Sequence, residues 1–106
     1  GLAARQLSAL RQAVESDLGQ SWTIARLAAI AGLSPYHFAR AFRESMGASP
    51  MEWIRLRRMT VAQNLLSQTD RSVADVAAAV GYDSPSQFAR VFRRVAGMPP
   101  ARFRTR

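Results

Sequence analysis

The chain contains no cysteine and no lysine, and its only histidine is His37. Without cysteine there is no disulfide framework, no thiol nucleophile and no cysteine-type zinc site. One histidine cannot build a histidine metal site or a histidine acid–base pair. No apolar run approaches the roughly 20 residues that cross a bilayer, and no signal-peptide layout opens the chain, so no membrane partner and a cytoplasmic setting are expected. Paired carboxylates, a phosphate loop and a nucleophile motif are missing as well, which points away from an enzyme: no catalytic residue, cofactor or metal is expected. The start at Gly1 rather than methionine suggests a piece of a longer protein.

What is present is basic charge carried by one residue type. All 15 basic residues are arginine, and the net charge is +8. The absence of lysine beside many alanines fits a GC-rich genome and is not read as function. Arginine nevertheless supplies planar, forked donors suited to phosphates and to guanine edges. Its placement is uneven: Ser84 to Arg106 holds six arginines and no acidic residue. Such a field suits a polyanion-binding surface, or, for Arg102, Arg104 and Arg106, a solvated tail.

One pattern occurs twice. Leu27-Ala28-Ala29-Ile30-Ala31-Gly32-Leu33-Ser34-Pro35-Tyr36-His37-Phe38-Ala39-Arg40-Ala41-Phe42-Arg43 returns as Val76-Ala77-Ala78-Ala79-Val80-Gly81-Tyr82-Asp83-Ser84-Pro85-Ser86-Gln87-Phe88-Ala89-Arg90-Val91-Phe92-Arg93. The offset is 49 residues before the turn and 50 after it, because Asp83 is an insertion. Each copy reads as a short apolar helix, a glycine turn and a Ser-Pro helix start. Ala28 and Ala77 put a small side chain where the second helix crosses the first. Phe38 and Phe42, like Phe88 and Phe92, are four apart and share a face; Arg40 and Arg90 point about 200° away. Tyr36, Arg40 and Arg43 make one outward stripe, and Ser86, Arg90 and Arg93 its counterpart. One such corner is a weak sign of DNA binding, since glycine corners occur in many helical proteins. Two with matching caps, rings and arginines are a strong one.

The rest is also helical in pattern. Helices are predicted at about Leu2 to Leu18, Ile24 to Ala31, Pro35 to Met46, Pro50 to Ser67, Ser72 to Val80 and Pro85 to Ala96, with a last turn from Pro99-Pro100. Ser49 with Glu52, and Ser72 with Asp75, are capping-box candidates. The organisation expected is a first helix-turn-helix subdomain over 1–48, a connecting helix over 49–69 and a second helix-turn-helix subdomain over 70–106. A connector of about 18 residues spans roughly 27 Å, against about 34 Å between successive major-groove faces. Trp22, Trp53, Met46 and Met59 are assigned to the core. Arg55, Arg57 and Arg58 fall on different faces of the connector, one to pair with an acid such as Asp75 or Asp83 and another to touch phosphate.

Together with Trp53-Ile54-Arg55-Leu56-Arg57-Arg58-Met59 and the closing Gly97-Met98-Pro99-Pro100-Ala101-Arg102-Phe103-Arg104, the tandem units resemble the carboxyl-terminal DNA-binding domain of the AraC/XylS family of bacterial transcription regulators, from about Leu7 to Arg104. The resemblance implies an all-α domain of seven helices whose third and sixth enter successive major grooves of double-stranded DNA. Carried over by position, it implies base contacts from Tyr36, His37, Arg40, Ser86, Gln87 and Arg90. Phosphate contacts fall to Ser34, Arg43, Ser84, Arg93 and Arg94. Ala39 and Ala89 stand where relatives carry a polar side chain, leaving contact with a thymine methyl. His37 is either a DNA contact or simply exposed; Tyr36 is either a contact or a lid on the Phe38 cluster.

Sequence-specific DNA binding for transcription control, at the nucleoid, is thus the leading reading. The alternative is a helical protein-interaction module contacting the transcription machinery, with RNA polymerase as partner. A third class, a methyl-transfer repair protein with a similar regulatory domain, lacks its cysteine acceptor here. The segment itself is expected to be monomeric, with any sensing or dimerisation carried by another domain of the full-length protein.

Overall fold

The computed structural model describes residues 1–105. Arg106, grouped above with Arg102 and Arg104, lies outside the described residues. Among the described residues there are seven α-helices and no strand: α1 (Ala4–Ser16), α2 (Ile24–Ala31), α3 (Pro35–Met46), α4 (Pro50–Gln68), α5 (Val73–Ala79), α6 (Pro85–Ala96) and α7 (Pro100–Thr105). The chain falls into two compact units, Gly1–Arg55 and Leu56–Arg106, so the division lies inside α4.

The starts and stops follow local chemistry. Ser34 and Ser84 have extended backbones, and their hydroxyls accept from the His37 and Gln87 amides at 3.3 and 3.2 Å, satisfying donors the helix itself leaves orphaned. Pro35 and Pro85 occupy the first helical position, where a missing N–H costs nothing. Thr23, Ser49 and Ser72 cap α2, α4 and α5 in the same manner, through the amides of Arg26, Glu52 and Asp75. Between the helices of each corner, Gly32 and Gly81 have φ of +73° and +100°, a region where a Cβ is strained. The next amides close the turn: Leu33 donates to the Ala28 carbonyl at 3.0 Å and Tyr82 to the Ala77 carbonyl at 2.9 Å.

Helix α1 is shorter at both ends than the predicted Leu2 to Leu18. Leu2 and Leu18 pack on the first core from outside the helix, so their apolar character is real but not helical. The amide of Asp17 instead bonds Val14 in a tighter turn. Helix α5 ends at Ala79, with Val80 as its cap.

Each unit has its own core. In the first, Leu10, Val14, Trp22, Leu27, Ala28, Phe38, Phe42 and Ile54 are buried, with Met46 and Trp53 half-buried against them. In the second, Met59, Ala62, Leu66, Val76, Ala77, Val80, Phe88, Phe92 and Phe103 are buried. The first turns of α4 therefore serve one core and its later turns the other. Fully burying each of the four phenylalanines of α3 and α6 contributes about 1.5–3 kcal/mol.

The repeat runs further than the two corners. From Pro35 to Pro50 and from Pro85 to Pro100 the order of buried, half-buried and exposed positions is identical residue for residue. Pro50, opening α4, corresponds to Pro100, opening α7. Trp53 then meets Phe42 at 5.7 Å between ring centroids, as Phe103 meets Phe92 at 5.3 Å. The signal was the matched Gly47-Ala48-Ser49-Pro50 and Gly97-Met98-Pro99-Pro100, each following a Phe pair.

Candidate nucleic-acid interface

Helices α3 and α6 turn the same faces inward and outward in their own units. Phe38 and Phe42, and Phe88 and Phe92, are no more than 1% exposed. Opposite them, Tyr36, His37, Arg40 and Arg43 on α3, and Ser86, Gln87, Arg90, Arg93 and Arg94 on α6, are all exposed. Ser34 is exposed and Ser84 half-buried, each engaged as a helix cap. Every residue singled out for a base-edge or phosphate contact, Ser84 apart, is thus solvent-exposed. Ala39 and Ala89 are half-buried between the two faces.

The two surfaces differ in chemistry. On α3, Tyr36 is 67% exposed and is not among the side chains packed on the core, so it is no lid over Phe38. Its ring meets His37 edge-on at 5.7 Å between centroids, and the Arg40 guanidinium carbon lies 5.8 Å from its centre. Arg40 also donates to the Tyr36 hydroxyl at 3.4 Å. His37 Nδ1 lies 2.8 Å from the Ser34 hydroxyl, tying the ring to the helix cap. On α6, Ser86 and Gln87 replace the two rings, leaving Arg90 no aromatic face at the equivalent position.

Charge differs as well. Four residues after Arg40 comes Glu44; four residues after Arg90 comes Arg94. The last turn of α6 carries Arg93 and Arg94, against Arg43 alone on α3. Cations there also complement the helix dipole.

Several other arginines make contacts within their own unit. Arg104 donates from Nε to the Leu66 carbonyl at 3.1 Å and from a terminal nitrogen to the Thr69 carbonyl at 3.4 Å. It satisfies one carbonyl in the last turn of α4 and one just past its end, and is no part of a loose tail. Arg26 lies over the Trp22 ring and bonds the Ser21 carbonyl and Gln20. Arg58 lies over the Tyr82 ring at 5.8 Å. Residue spacing could not reveal the Arg104 bonds, because their acceptors are more than 30 residues away and are backbone atoms. Among the described residues no group of histidines, cysteines and carboxylates is placed to hold a metal ion, and no helix is long and apolar enough to cross a membrane.

A family model described as a helix-turn-helix domain matches residues 27–106. The DNA-binding domain of the global transcriptional factor AdpA, solved in complex with a target DNA, superposes with a TM-score of 0.89 at 34% identity, over 94% of this chain and 90% of that one. A putative AraC-like transcription regulator of Streptomyces lividans is 34% identical over 104 residues, 98% of this chain and 34% of the relative. The chain belongs to the AraC/XylS family. It is an AraC-type helix-turn-helix DNA-binding domain of the transcription-regulator class. The MmsAB operon regulatory protein of Pseudomonas aeruginosa is 34% identical over 100 residues, covering 94% of this chain and 33% of the relative. The bifunctional transcriptional activator/DNA repair enzyme AdaA of Bacillus subtilis is 33% identical over 91 residues, 86% of this chain and 43% of the relative. This AraC-type chain spans about a third of the length of the first curated relatives it matches.

Proposed function

We propose that this domain reads one asymmetric double-stranded DNA site in two parts, with α3 and α6 each entering a major groove. The observation that carries the reading is the repeated outward stripe: Arg40 and Arg90 stand at equivalent positions on helices of identical burial pattern, opposite fully buried rings. His37 and Arg40, with Ser86, Gln87 and Arg90, address base edges, and Tyr36 stands beside the first two on the exposed side of α3. Ser34, Arg43, Ser84, Arg93 and Arg94 address phosphates, which fix register without reading sequence. That AdpA's domain was solved on a target DNA supports the reading.

Selecting sites from a random DNA pool tests it. The expected outcome is a motif with two unlike halves, their centres about 10 base pairs apart. Arg40→Ala relaxes base preference in one half and Arg90→Ala in the other, each by about 1–3 kcal/mol. If both changes altered the same bases, or Arg40→Ala were silent, docking in a single groove would replace this proposal.

For a whole regulator of the relatives' length, we place this domain at the nucleoid in the cytoplasm, itself monomeric. RNA polymerase would be its protein partner and dimerisation would lie elsewhere. The proposal assigns the chain binding and no reaction; repair activity is AdaA's own.

A further inference from the structure

We infer that Tyr36 serves recognition chiefly as a positioning residue, holding the Arg40 guanidinium over its ring, rather than by touching a base itself. The inference rests on the DNA-reading role proposed for Arg40 and assigns its neighbour a different task. Four contacts carry it. Arg40 sits 5.8 Å from the ring centre and donates to the phenol oxygen at 3.4 Å, so both the face and the edge of Tyr36 engage one side chain. The ring itself is steadied by His37, edge-on at 5.7 Å, and His37 is anchored 2.8 Å from the Ser34 hydroxyl at the helix cap. With 67% of the residue exposed, the arrangement adds little to the core and is costly to explain as packing.

A free arginine side chain loses much rotamer freedom when it docks on a guanine edge. One already held in place loses less, and the difference appears as affinity for the correct base. Arg90 has Ser86 where Arg40 has Tyr36, so the device belongs to the first unit alone.

A double-mutant cycle on the selected site tests this, using Tyr36→Ala, Tyr36→Phe, Arg40→Ala and the double variants. An exposed cation–π contact corresponds to about a two- to fivefold effect. Tyr36→Ala is expected to weaken binding by that factor and to blur preference at the same base as Arg40→Ala. In the Arg40→Ala background it is expected to cost nothing further. Tyr36→Phe, which keeps the ring, recovers most of the loss. Thermal stability of the free domain stays unchanged throughout. In the free domain, NMR reports the contact without DNA: ring-current shifts on the Arg40 δ protons vanish in Tyr36→Ala and persist in Tyr36→Phe. A penalty that survives in the Arg40→Ala background, or a change at a different base, would make Tyr36 a direct reader and overturn the inference. Absence of any specific DNA binding by the unmodified domain would instead sink the proposed function, leaving the ring-current result to decide the Tyr36–Arg40 contact on its own.

Discussion

The two units are built alike inside and unlike outside. Their buried rings, crossing alanines, capping serines and turn glycines correspond, whereas their exposed residues, apart from the pairs Arg40 with Arg90 and Arg43 with Arg93, largely differ: Tyr36 and His37 against Ser86 and Gln87, Glu44 against Arg94. Interior positions are tied to their neighbours by close packing, so changing one disturbs several others at once. Exposed positions are free to differ. The contrast separates what the helix-turn-helix needs in order to exist from what each copy presents to a ligand. It also makes the second unit the more strongly cationic partner, with Arg90, Arg93 and Arg94 on one short helix.

The hardest test of the comparison is in the cores. Phe42→Ala and Phe92→Ala remove equivalent buried rings, 1% and 0% exposed, and each is expected to destabilise by about 3–5 kcal/mol in urea titrations. If one cost far less, the equal burial would not mean equal dependence, and the neighbouring Trp53 or Phe103 would have to be filling the gap.

Arg104 offers a smaller effect that discriminates between structure and binding. Because its guanidinium bonds the Leu66 and Thr69 carbonyls, Arg104→Ala is expected to lower stability by about 1–2 kcal/mol while leaving the salt dependence of DNA affinity unchanged. A flatter salt slope with unaltered stability would return it to the phosphate-binding set.

The subtlest expectation concerns the charge difference at the helix ends. Taking one cation away from the phosphate backbone reduces the slope of log affinity against log salt by about 0.9. Arg94→Glu, which gives α6 the residue that α3 has, should flatten the slope by about that amount, and Glu44→Arg should steepen it by no more. Equal and negligible effects at both positions would mean that neither helix end approaches the backbone.

Much of this was legible in the chain itself, for identifiable reasons. Helices α2, α3 and α6 lie at Ile24–Ala31, Pro35–Met46 and Pro85–Ala96, as the residues predicted, because a capping hydroxyl and a following glycine or proline mark the boundaries there. At α1 no capping hydroxyl precedes the helix, and Gly19, which marked its predicted end, lies three residues past Ser16 and lacks a positive φ. Leu2 and Leu18 extended the apolar period beyond the true ends, since burial and helicity give the same signal in sequence. The outward stripes followed from 3.6-residue geometry alone. The hold of Tyr36 on Arg40 was within reach of the same geometry, being four residues apart, but needed the ring's exposure to be recognised as more than packing. Arg104's partners were out of reach, as backbone carbonyls carry no residue identity.

The matched burial from Pro35 to Pro50 and from Pro85 to Pro100 has a consequence for how such a domain can change. Its vocabulary and its grammar are held by different atoms. Six outward positions on each helix, from Tyr36 to Ser45 and from Ser86 to Val95, can be rewritten or exchanged between copies as a cassette while the rings beneath them keep the same seats. A regulator drifting toward a new site need not renegotiate its fold, and an engineer grafting the α3 surface onto α6 starts from a socket of the same shape.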